Sequence, residues 1–222
     1  MAGDDLLNIC FHGVGTPGRE LEPGEDAYWV EADRFLRILD EIATWPRARI
    51  SFDDGNASDV QVGLPALVER GLVAQFFPLA GRLGAPGSLA PGDVRGLASE
   101  GMEIGTHGMW HRTWRGMDAT TRTAELVEAR SRIADAAGVP VVDAACPLGQ
   151  YDRTLLSDLR QLGYRRVYTS DRQAARPVGW LQPRFSVRHG DTPESLRADV
   201  LTRPDPAKVA KLKLVGLVKR LR

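Results

Sequence analysis

Short runs of β-branched and aromatic residues alternate along this chain with longer stretches whose apolar positions recur at helical spacing, and Gly or Pro punctuates the joins. Such an alternation predicts βα units and a parallel sheet. Seven strands are predicted, near residues 7–11, 49–52, 72–77, 103–106, 141–146, 166–169 and 184–187. Helices are predicted over 31–43, 60–70, 92–99, 121–137, 153–162 and 193–201. The clearest is 121–137: Leu126, Ala129, Ile133 and Ala137 recur at helical spacing, and Gly138 followed by Pro140 closes it. No glycine-rich dinucleotide loop follows the first strand, and GVGTPG at 13–18 reads as an irregular connection. The predicted fold is therefore α/β, an irregular (β/α)7-type barrel in a single domain, rather than an open doubly wound sheet.

A length of 222 residues, 43% hydrophobic and 26% charged, suits one core. The formal net charge is zero, yet all four lysines lie in the last fifteen residues, where Arg220 and Arg222 bring the total to six positive charges and no negative ones. Residues 1–207 then hold 23 basic against 29 acidic groups, a poor match for nucleic acid. The domain reading is a barrel over 1–203 and a basic tail over 204–222. That tail mixes Leu and Val with Lys and Arg, as a helix resting on anionic headgroups does; a solvated C-terminus has the same composition. No run of about 18 apolar residues is present to span a bilayer, and the opening MAGDDLLNIC is acidic where an export signal is basic and then apolar. The expected location is cytoplasmic, with peripheral contact to an anionic membrane through the tail. Cys10 and Cys146 are isolated in the sequence and read as buried thiols.

Two motifs carry chemistry. Ser51-Phe52-Asp53-Asp54-Gly55 ends a predicted strand in adjacent carboxylates, and catalytic groups of parallel barrels collect at such strand ends. Neighbouring carboxylates repel, so their pairing needs a nearby cation or a division of labour between an ionised ligand and a base. Taken alone, the run is also a plain Asp-Gly turn. His107-Gly108-Met109-Trp110-His111 follows the fourth predicted strand, and an i, i+4 pair on one helical turn directs two imidazoles at one ion. With a distant aspartate these histidines make the two-nitrogen, one-oxygen donor set of a catalytic metal site with positions left open for water.

FDDG at 52–55 together with HGMWH at 107–111 resembles the polysaccharide deacetylase family that carries the NodB homology domain, over roughly residues 11–187. The resemblance implies the barrel fold, a divalent metal, usually Zn2+, held by Asp54, His107 and His111, and Asp53 as general base. The family's third motif, commonly Arg-Pro-Pro-Tyr-Gly, looks like Ala145-Cys146-Pro147-Leu148-Gly149 here, with Tyr151-Asp152 following as in members that carry Pro-x-Gly-x-Tyr-Asp. By that likeness the Leu148 N–H forms part of the oxyanion hole. Ala145 stands where the family's motif arginine orients the catalytic aspartate; Arg184 is either its substitute or a structural or surface ion-pair partner. The general acid is expected to be His12, as in rearranged members that place this histidine before the double aspartate, because the first and last strands of a closed barrel are neighbours. His189 is the other candidate. Trp110 and Trp114 flank the metal motif and suit either stacking on a sugar ring or core packing; Met109 and Met117 are assigned to packing. Leu148, Tyr151, Arg184 and Trp110 make up the candidate substrate-binding set.

The implied activity is metal-dependent removal of N-acetyl groups from an acetamido sugar in a glycan, glycan precursor or lipid-linked saccharide, the carbohydrate being the expected partner and nucleic acid not. Hydrolysis of a different amide or of an O-acetyl ester is a rival within the same chemistry. From another class, the chain reads as a carbohydrate-binding barrel whose catalysis has decayed with the loss of the motif arginine.

Overall fold

In the computed structural model, which describes residues 4–202 together with Leu214, Gly216 and Val218, the first apolar run, LNICF, forms the fully buried strand β1 (Leu7–Phe11). Two short strands, β2 (Gly13–Val14) and β3 (Trp29–Val30), pair in parallel and tie down the ends of the loop between them. Then α1 (Ala32–Ala43) leads to β4 (Ala48–Asp54), α2 (Leu64–Glu69) to β5 (Ala74–Pro78), and α3 (Pro91–Ser99) to β6 (Glu103–Ile104). Next, α4 (Ala119–Thr123) and α5 (Ala129–Ala137), joined by a π-helical turn at Ala124–Glu128, precede β7 (Asp143–Ala145), and α6 (Arg153–Gln161) precedes β8 (Arg166–Thr169). The last strands, β9 (Leu181–Pro183) and β10 (Phe185–Ser186), are followed by α7 (Pro193–Leu201).

Five strands pair in the order β10-β1-β4-β5-β6 and three in the order β7-β8-β9, all parallel. A parallel bridge between Thr106 and Ala144 joins the two sheets on one side. On the other side residues 181–186 run through both, β9 against β8 and β10 against β1. The pairing thus returns to its start, giving the irregular seven-stranded barrel expected from the alternation of elements. Its break falls at Arg184, whose amide donates to the Thr169 carbonyl at 2.9 Å and whose carbonyl accepts from the Arg172 amide at 3.0 Å.

Side chains along a strand face alternate sides, and here the alternation separates packing from chemistry. Phe11 and Phe52 face outward. Phe11 meets Phe35 of α1 edge-on at 5.0 Å, and Phe52 stacks on Phe76 at 4.9 Å. These rings join Ile38, Leu39, Leu67, Leu97 and Ile133 in the main core, between barrel and helices; each such side chain contributes about 1.5–3 kcal/mol relative to exposure. Cys10, Ser51 and Asp53 occupy the opposite face, inside a polar barrel where Asn8 donates to Gln182 at 3.1 Å and Gln75 to Asp143 at 3.0 Å. The basic tail expected over 204–222 lies outside the described residues apart from three isolated positions. Among the described residues no helix is long and apolar enough to cross a membrane.

Candidate metal and catalytic site

At the C-terminal end of β4 the backbone leaves extended geometry: Asp54 has φ 74° and Gly55 φ 71°. In a regular strand Asp54 would turn away from the face that Asp53 occupies. The left-handed step swings it back, so two consecutive carboxylates open on one mouth. Such a conformation costs a non-glycine residue about 1–3 kcal/mol and persists where surrounding structure enforces it. Gly55 cannot be replaced, because a Cβ there would lie 2.8 Å from Pro78 Cβ.

Asp54 Oδ1 stands 3.6 Å from His107 Nε2 and 3.8 Å from His111 Nε2. His107 Nδ1 is 2.9 Å from the Ala145 carbonyl, and His111 Nδ1 is 2.7 Å from Glu22 Oε2. A carbonyl and a carboxylate only accept, so each Nδ1 carries a hydrogen, and in the neutral ring that a metal requires Nε2 is the nitrogen with the lone pair. Both Asp54 oxygens are buried with no hydrogen bond, a large penalty for a carboxylate unless something cationic takes them up. Burial pushes the His107 pKa down to about 4 against the pull of Asp53 and Asp54, keeping the ring neutral as a ligand must be. The separations of 3.6 and 3.8 Å from Asp54 to the two imidazoles are close to the spacing of groups each about 2.0–2.2 Å from one shared ion. The donor set therefore fits a divalent cation.

The two histidines do not share a helical turn, contrary to expectation. Between the Thr106 bridge and Asp118 the chain forms only bends and turns. It is held instead by Glu125, a buried carboxylate that accepts from the amides of Met109 at 2.8 Å and Trp110 at 3.2 Å and from Trp114 Nε1 at 3.1 Å.

Beneath the mouth, Arg184 donates through Nη1 and Nη2 to the two oxygens of Asp53, both at 2.6 Å, and through Nη1 to Ser51 Oγ at 3.1 Å. Burial alone would raise the Asp53 carboxyl; the Arg184 guanidinium overrides it and holds the group well below the usual carboxylate range. Arg184 is completely buried, so it stands under Asp53 and is not available to touch substrate, a correction to its place in the substrate-binding set. His12, just past β1, lies against Tyr28 with ring centroids 4.9 Å apart. It offers a ring nitrogen within 4.8 Å of Asp53 and Cys10, and its Nδ1 is buried without a partner. Burial drives the Cys10 thiol upward. Asp59, in a π-helical turn after β4, is fully buried with neither oxygen bonded. Burial, then the charges of Asp54 and Asp53, push its carboxyl well above the ordinary value.

His12, Glu22, Tyr28, Asp53, Asp54, His107, His111 and Leu148 line one cavity of about 480 Å³. Leu148 forms an exposed lip in the left-handed region, φ 58°. Tyr151 is not in this lining: it is buried and its hydroxyl donates to Asp171 at 2.8 Å. Trp110 is also outside this lining: next in the chain to His111, it is half-exposed, its ring laid on Gly81 so closely that a Cβ there would sit 2.4 Å from it. Trp114 is core. His189 is bound elsewhere, Nδ1 to the Trp29 carbonyl at 2.8 Å. A second cavity of about 430 Å³, at the opposite ends of the strands, reaches neither the site aspartates nor any histidine. Sequence reasoning missed Glu22, Tyr28 and Glu125. Only Glu125 left a signal, an acid four residues before Ala129 beside the apolar stripe of its helix.

These features define an α/β barrel with a candidate metal centre at the C-terminal ends of its strands. Residues 44–167 match the family model described as polysaccharide deacetylase, and the chain belongs to that family. It is similar to YxkH of Bacillus subtilis (strain 168), a protein classed with the polysaccharide deacetylases, at 23% identity over 126 residues; the match spans 57% of this chain and 45% of YxkH, less than half of that relative's length. Among solved structures it resembles the Streptococcus pyogenes deacetylase PplD in complex with acetate, with a TM-score of 0.75 and 17% identity over 90% of this chain and 99% of that one. IcaB from Ammonifex degensii matches with a TM-score of 0.72 and 19% identity, over 90% and 98% of the respective chains. At these identities the structural likeness concerns the fold.

Proposed function

We propose that this protein removes N-acetyl groups from an acetamido sugar in a glycan, glycan precursor or lipid-linked saccharide, with Zn2+ held by Asp54, His107 and His111. The observation that carries this reading is the convergence, in one cavity, of that donor set with an arginine-held carboxylate, Asp53, and with the imidazole of His12. A bound Zn2+ acidifies water and polarises a carbonyl oxygen. Asp53, ionised and fixed in orientation by Arg184, accepts the proton of the attacking water; the pairing that keeps it ionised makes it a weak base, suited only to an acidified donor. The Leu148 N–H, by likeness to the family, meets the charge that develops on the acetyl oxygen. Protonated His12 donates to the departing amine, which otherwise leaves poorly. Trp110, next in the chain to His111 and half-exposed, offers apolar surface for a sugar ring. Arg184 in contact with Asp53 favours a working enzyme over a decayed barrel, since it holds the carboxylate that the missing arginine at Ala145 would otherwise hold.

The test is acetate release from N-acetylglucosamine oligosaccharides by zinc-loaded protein. Activity is expected to disappear with a chelator and in Asp53→Asn, to fall about 100-fold or more in His12→Ala, and to survive in His189→Ala. No acetate at full zinc occupancy would sink the deacetylase reading. Loss of turnover in His189→Ala alone would remove His12 as the acid.

A further inference from the structure

We propose that Glu22 is a positioning residue of the metal centre, fixing the orientation and tautomer of His111; this rests on the reading of Asp54, His107 and His111 as metal ligands. The two imidazoles are secured in different ways. His107 is buried, its amide donating to the Pro78 carbonyl at 3.0 Å and its Nδ1 bonded to the Ala145 carbonyl. His111 sits in a segment without helix or strand, and among the described residues its imidazole makes one hydrogen bond, to Glu22.

Glu22 comes from the loop between β2 and β3, and it is itself braced. Its second oxygen is ion-paired with Arg82, and its amide donates to Glu25 Oε2 at 2.9 Å. Glu25 is in turn held by Arg19, which also reaches Asn56 Oδ1 at 2.9 Å, two residues beyond Asp54. One Glu22 oxygen thus serves Arg82 and the other the imidazole, the arrangement of a group that orients a ligand. A carboxylate on Nδ1–H fixes the tautomer and strengthens Nε2 as a donor, and loss of such a partner typically weakens metal affinity about 10- to 100-fold.

The experiment measures Zn2+ affinity of the metal-free protein by competition with a chromophoric chelator, for wild type, Glu22→Ala and Glu22→Gln. Glu22→Ala is expected to bind about 10- to 100-fold more weakly. Glu22→Gln, whose amide oxygen still accepts from Nδ1–H while its NH2 turns toward Arg82, should recover part of the loss. Hydrogen exchange supplies a readout that a merely structural role would not move: Zn2+ should slow exchange of residues 107–111 in wild type and in Glu22→Gln, and much less in Glu22→Ala. Equal affinity in Glu22→Ala overturns the proposal. An equal loss in both variants would mean that the charge of Glu22, and not its acceptor on Nδ1–H, is what matters, and also overturns the proposal. A wild type that binds no Zn2+ removes the metal reading itself, an outcome distinct from the other two.

Discussion

At Leu148 and Asp54 the chain holds non-glycine residues in left-handed backbone, and both line the same cavity. Strain of this kind persists where function or packing demands it. For Leu148 the two contributions can be separated. Leu148→Ala and Leu148→Gly remove the same apolar lip, but only glycine relaxes the backbone, so the glycine variant should unfold at a higher temperature than the alanine one. A difference of about 1 kcal/mol, worth about 2–4 °C in a chain of this size, is expected in thermal melts. If Leu148 also contacts substrate, both variants raise KM alike. Equal melting of the two would mean that φ at 148 is not strained. The motif residues themselves were legible from sequence because metal ligation needs particular residue types. Arg184 was legible only as a question, since nothing along the chain says which of two distant charged groups will share a buried space.

The predicted helices and strands lie within a few residues of observed ones because their apolar positions follow the periods of the two structures; the short strands β2, β3 and β9 were not predicted. The failures occur where that periodicity stops or is interrupted. The helix predicted over 121–137 is broken by a π-helical turn at Ala124–Glu128, and it is this turn that carries Glu125 to the metal-motif loop. The loop between β2 and β3 has no periodicity, so Glu22 and Tyr28 could not be placed. The helical turn expected for His107 and His111 is replaced by a segment wrapped on the Glu125 carboxylate. Glu125→Ala would leave at least three N–H donors without their acceptor, in Met109, Trp110 and Trp114. A loss of about 3 kcal/mol or more follows, read as a lower urea midpoint at unchanged slope. Glu125→Gln, keeping one acceptor oxygen, should lie between the two. An alanine variant within about 0.5 kcal/mol of wild type, the range of ordinary surface changes, would show that the loop holds itself.

For the whole molecule, the polar interior makes stability depend on pH through Asp59. Its carboxyl is raised above the ordinary value by burial and then by Asp54 and Asp53, so the folded state binds its proton more tightly than the unfolded chain does. That contribution is fully present below about pH 4, the ordinary aspartate pKa, and is lost as pH rises toward the raised value. Asp59→Asn keeps the shape and removes the titration. The melting temperature of the metal-free variant should therefore exceed that of metal-free wild type at neutral pH, and the gap should close as pH falls to about 4. A pH-independent gap would show that Asp59 is not the titrating group. The closed ring has a consequence for synthesis as well. A nascent polypeptide presents both aspartates early, yet the guanidinium that neutralises Asp53 lies 131 residues further along the chain, and the strand that pairs with the free side of β1 follows it. A chain still short of Arg184 thus exposes its acidic mouth without the charge that balances Asp53, and the ring closes only when β10 pairs with β1.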